Sequence, residues 1–167
     1  MKKSIAFLLT VLLLLIPLAA CSASGTQAVV SKALGIDAES GSLASCYDTH
    51  SGNGDGTTCA VLRFHGNGVL REIQASPEWK AFPLDPTVRT LVYGVEDASS
   101  KTGPFLTDEN GEPCVPEIRN GYYRLIDRQA AAGKATGPDI LNRGSFNFTL
   151  GLYDTDTDTL YFCELDT

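Results

Sequence analysis

Histidine is scarce in this chain, and metal-ligand spacing is missing. Among its 167 residues only His50 and His65 are histidines, and none of its five cysteines stands in a CxxC pair. A zinc site or a thioredoxin-type redox motif needs such spacings, so neither is indicated. No GxSxG run occurs, and a Ser-His-Asp or Cys-His set needs a histidine held by partners beside a nucleophile. Basic residues are also in deficit, with 13 Lys plus Arg against 20 Asp plus Glu and a net charge of −7. Such a surface repels phosphates, which argues against nucleic acid as a partner. There are no internal repeats and no long low-complexity tract.

One apolar run stands out, in MKKSIAFLLTVLLLLIPLAA at residues 1–20. Lys2 and Lys3 precede an apolar core from Ile5 to Ile16, and small residues follow. This is the order of an export signal. The core is shorter than the roughly 20 residues that span a bilayer. The segment ends Leu18-Ala19-Ala20-Cys21, and leucine at −3 suits an ordinary secretory cleavage site poorly. Those four residues resemble the lipobox of bacterial lipoproteins. The resemblance implies that Cys21 carries a diacylglyceryl thioether and becomes the new N-terminus, with the chain anchored at the extracytoplasmic face of the cell membrane. Two acyl chains at about 0.8 kcal/mol per buried CH₂ hold firmly where one would only visit. Residues 1–20 are then a lipoprotein signal peptide, residues 21–27 a lipidated N-terminus and linker, and residues 28–167 a single α+β extracytoplasmic domain.

Beyond residue 20 the basic residues number 11 against an unchanged 20 acids, a net charge of −9. Electrostatic docking on anionic lipid is excluded, so the membrane is reached through the lipid on Cys21. Four further cysteines, Cys46, Cys59, Cys114 and Cys163, suggest two disulfides with three connectivities open. Period-two parity places Leu43 and Tyr47 on the core side and Cys46 away from it, on the side of Cys59 and Arg63. A Cys46–Cys59 bond is reasonable on that parity, and by elimination Cys114 would meet Cys163.

Strand signals fall at 43–48, 57–64, 121–128, 146–152 and 160–165, where apolar residues alternate or cluster between turn formers. Helix signals fall at 28–34, at Gly68–Ala75, at Ser76-Pro77-Glu78 and at 87–93, the last opened by Asp85-Pro86 and closed by Gly94. The order strands, helices, strands predicts an α+β fold, with a mainly antiparallel sheet of about five strands and two or three short helices on one face. The other face is expected to be partly open.

Two acidic tips invite a cation reading. In DTDTDT, the carboxylates of Asp154, Asp156 and Asp158 stand two apart, but a calcium loop needs glycine at its sixth position and a bidentate acid at its twelfth. Those positions hold Thr159 and Leu165, so the stretch is expected to be a hairpin tip. A second tip, THSGNGDG, carries Asp55 and follows Asp48; a strand after it excludes a dinucleotide cradle. Were the two tips to meet, five carboxylates and His50 would form a weak calcium site. Both histidines are otherwise expected at the surface.

Across residues 47–167 the segments YDTHSGNGDGTT, FPLDPTVRTLVYG and YDTDTDTLYFCELDT resemble small exported proteins of Gram-positive bacteria. The resemblance implies no activity, no catalytic residue and no cofactor. The expected role is a membrane-anchored, non-catalytic module that binds a protein or small-molecule ligand. The alternatives are a cell-envelope hydrolase using Asp48, His50 or the DTDTDT acids, and a weakly cation-binding structural component.

Overall fold

The computed structural model describes residues 23–134 and 139–167. Cys21 and the expected export signal lie outside the described residues. The helices are α1 (Ala23–Leu34), α2 (Gly68–Ala75), α3 (Pro86–Tyr93) and α4 (Arg128–Ala131). The strands are β1 (Ser42–Asp48), β2 (Gly56–Arg63), β3 (Lys80–Ala81), β4 (Val95–Glu96), β5 (Lys101–Thr102), β6 (Gly121–Asp127), β7 (Asn147–Asp154) and β8 (Thr159–Asp166). Six strands form one antiparallel sheet in the order β1-β2-β8-β7-β6-β3, and β4 pairs with β5 apart from it. The expected α+β fold with an antiparallel sheet is therefore what forms.

The helices do not share one face. Residues 148–153 of β7 are all buried, so the strand is covered on both sides rather than half-exposed. On one side Phe148, Leu150 and Leu152 pack with Val88, Leu91 and Val92 of α3 and with Leu106 and Val115. On the other, Tyr153, Leu160 and Phe162 pack with Val30 and Leu34 of α1 and Val69 and Ile73 of α2. The apolar residues of each helix recur three or four apart, which gathers them into one stripe facing the sheet. The expectation of one open face failed because alternate strand positions such as Gly151 and Tyr153 meet a second layer of helices.

Local chemistry explains the helix ends. Asp85 accepts a hydrogen bond from the Val88 amide (2.9 Å) with Pro86 at the first helical position, and Gly94 closes α3 at φ 73°. Aspartate and proline satisfy or remove orphan amides at the start, and glycine takes the left-handed turn at the end. The start expected at Ser76-Pro77-Glu78 forms a turn instead, leading into β3. Helix α1 begins at Ala23, five residues before the predicted start, so most of the expected linker is helical. The Arg124 guanidinium donates to the Leu34 carbonyl (2.7 Å) at the far end of α1, where a cation complements the helix dipole.

Candidate functional site

Charged side chains converge at the end of the sheet where β2 starts and β8 finishes. The loop after β1 folds back so closely that a Cβ on Gly56 would lie 2.5 Å from the His50 Cα. His50 Nδ1 lies 2.8 Å from Asp48 Oδ1, and Nε2 lies 3.2 Å from Asp166 Oδ2. Thr58 Oγ1 stands 3.2 Å from the same Nδ1. The Arg128 guanidinium joins Asp166 (2.6 Å), Glu164 and Thr149 Oγ1 (2.8 Å), and Thr149 donates to Glu164 (2.8 Å). Charges thus alternate along Asp48, His50, Asp166, Arg128 and Glu164. Alternation lowers the energy of each group and leaves no unpaired charge in a half-buried place.

This arrangement sets the protonation of His50. Burial works against the imidazolium, but the bonds to Asp48 and Asp166 outweigh it and raise the pKa above the ordinary 6.5. For Asp48, burial works against ionisation, yet the His50 amide and imidazole hold the carboxyl below the ordinary 3.8. While protonated, His50 gives both ring N–H groups to carboxylates and has no ring nitrogen free to accept a substrate proton. Its contribution to stability is full below the unfolded pKa near 6.5 and fades as pH rises through the raised folded value. The Asp48 contribution is present above 3.8 and is lost as pH falls through the lowered value. The melting temperature is therefore expected to drop as pH rises above about 6.5, and His50→Gln should flatten most of that slope. An unchanged slope in the variant would refute the role assigned to the imidazole.

The two acidic tips do not meet. Gly56, beside the first tip, pairs with Asp166, whereas Asp154 and Thr159 flank the second tip at the opposite end of β8. Seven strand steps, roughly 24 Å, separate them, which rules out the shared five-carboxylate site. Asp55 accepts from Asn53 Nδ2 (3.0 Å) within its own loop. At the other tip, Asp154 accepts from the Asp156 amide and the Thr157 hydroxyl (both 2.8 Å). Asp156 accepts from Asn120 Nδ2 (3.0 Å), and Asp158 accepts from the Tyr153 hydroxyl (3.1 Å). The stretch that reads DTDTDT is a hairpin tip whose carboxylates fasten the turn. Among the described residues, no group of three His, Cys, Asp or Glu side chains is arranged to hold a metal ion.

Sulfur atoms gather on the α3 side of the sheet. Cys59 and Cys163 are register partners on β2 and β8, both buried, with Sγ atoms 3.1 Å apart. Cys59 also hydrogen-bonds Cys114, which is half-buried. At 3.1 Å two sulfurs touch but are not bonded, and Cys59, Cys114 and Cys163 are all thiols. A cavity of 360 Å³ lies over Cys59 and Cys114, lined also by Tyr47, Asp108 and Glu109. The hydrogen bond that the Cys114 thiol donates to Cys59, and then burial, push the Cys114 thiol up.

The Cys46–Cys59 pairing expected from parity is wrong. Register places Cys46 opposite Ala60, and Cys59 opposite Tyr47. Cys46 packs on the α1 and α2 side, and Cys59 on the α3 side. A bulge between Leu43 and Ser45 inserts Ala44 and reverses the alternation. The Cys114–Cys163 pairing rested on elimination and loses that ground, and both residues are thiols here. Arg128, Glu164 and Asp166 were missed altogether. The i, i+2 spacing of Glu164 and Asp166, which puts two acids on one strand face, was the available signal. His50, expected at the surface, is the centre of the network, while His65 is exposed.

No helix among the described residues is long and apolar enough to cross a membrane. Comparison with protein-family models, with curated proteins and with solved structures finds no match to this chain.

Proposed function

We propose that this chain is a binding module held at the extracytoplasmic face of a bacterial cell membrane by lipid on Cys21, and that it recognises a protein or small ligand without transforming it. The observation that carries the non-catalytic reading is the engagement of both His50 nitrogens by Asp48 and Asp166. This charged cluster spends its valences on itself, as a brace does. The open clefts are elsewhere, one of them over Tyr47 and Cys114. Its acidic rim of Asp108 and Glu109 suits a neutral or cationic ligand.

The anchor has a direct test. Growth with a labelled fatty acid should mark the wild-type chain and leave Cys21→Ala unmarked, with the variant moving from the membrane fraction to the medium. Wild-type protein in the medium with no acyl adduct would overturn the anchor. For the binding reading, proteins that co-purify with the anchored chain should persist in His50→Gln and be lost in Tyr47→Ala with Glu109→Lys. Persistence in both variants would remove the cleft from the proposal, and loss in His50→Gln with its fold intact would favour the hydrolase.

A further inference from the structure

We infer that Cys114, Cys59 and Cys163 form a three-sulfur relay that takes an oxidising equivalent from a small disulfide at the surface and buries it between β2 and β8. Three facts of geometry carry it. Cys59 touches both other thiols, as the central sulfur. Cys163 is 1 % exposed and sealed from any reagent, whereas Cys114 is half-buried and opens on the 360 Å³ cavity. Cys163 has Cys59 as its sulfur neighbour, and Cys59 lines the same cavity but is only 6 % exposed, so the more open Cys114 is the entry thiol.

The steps balance without a further reagent. Cys114, as thiolate, attacks one sulfur of R–S–S–R, forms a mixed disulfide and expels R–S⁻, which takes up the proton Cys114 lost. Cys59 then attacks the Cys114 sulfur, forms the Cys59–Cys114 bond and expels the second R–S⁻, again protonated by the proton released. Finally Cys163 attacks the Cys59 sulfur and expels Cys114, which recovers the Cys163 proton. The sum is two protein thiols oxidised and one R–S–S–R reduced to two R–SH, with Cys114 returned to its thiol form. Because Cys59 and Cys114 are both held above the usual thiol range, fewer thiolates are present and the exchange quickens as pH rises.

The relay is tested on the full chain, extracted in detergent, reduced, and treated with cystamine, a cationic disulfide suited to the acidic rim. Samples are alkylated at intervals and mapped by mass spectrometry without reductant. In the wild type the final linkage should be Cys59–Cys163 with Cys114 alkylated. Cys163→Ser should stop at Cys59–Cys114, and Cys114→Ser should gain Cys59–Cys163 at least ~10-fold more slowly, for want of an exposed entry thiol. The wild-type mapping alone decides the matter if a variant fails to fold. A direct Cys114–Cys163 bond, a bond from any of the three to Cys46, three thiols that stay free, or equal rates with and without Cys114 would overturn the relay.

Discussion

Gly151→Val is expected to destabilise the fold by about 3 kcal/mol, the upper end of what an overfilled core costs. A Cβ at Gly151 would lie 2.7 Å from Leu34 Cδ1 and 2.8 Å from the Trp79 ring. Neither neighbour can step aside, because Leu34 is fully buried and Trp79 is 6 % exposed. The absent side chain is what lets α1 rest on β7, the strand that carries Gly151. Ordinarily a larger residue in a strand interior gains stability over glycine, so the sign separates the two accounts. Urea unfolding would show the midpoint falling with an unchanged slope. Leu34→Ala in the same chain should restore part of the loss, since the two changes share one volume. A Gly151→Val protein as stable as the wild type would show that the helix is not seated as closely as described.

Arg128→Met should cost about 2–3 kcal/mol, because it strands two carboxylates that no other cation neutralises as closely. Glu164 and Asp166 lie on β8 with side chains 22 % and 26 % exposed, which tempers the penalty below that of a fully buried pair. Methionine keeps much of the apolar stem and isolates the loss of charge. His50→Gln should be coupled to it, since Asp166 is shared between His50 and Arg128. A double-mutant cycle that returned simple additivity would break the network into unrelated pairs.

Elements with strong local rules were legible in the sequence. Asp85-Pro86 and Gly94 bounded α3 to within a residue, and the alternation Phe148, Leu150, Leu152 marked β7. What failed depended on chain segments far apart. The bulge at Ala44 leaves no compositional trace, yet it turned Cys46 to the other face and undid the disulfide reading. Gly151 reads locally as a weak strand residue, and its meaning comes from Leu34, more than a hundred residues earlier. The His50 network joins positions 36, 38 and 116 residues apart. Periodicity reports one element at a time, so it cannot see such pairings.

The placement of β8 has a consequence for how the fold is made. It sits between β2 and β7, so the β1–β2 hairpin has no seat until residues 159–166 arrive. The register pairs Cys59 with Cys163 across 104 positions, and closing so wide a loop precedes any reward from the contacts it enables. During synthesis the earlier strands must wait as open thread. If residues 1–20 act as the export signal we propose, that delay is useful, because a polypeptide that cannot knot itself up early can still be drawn through a narrow passage.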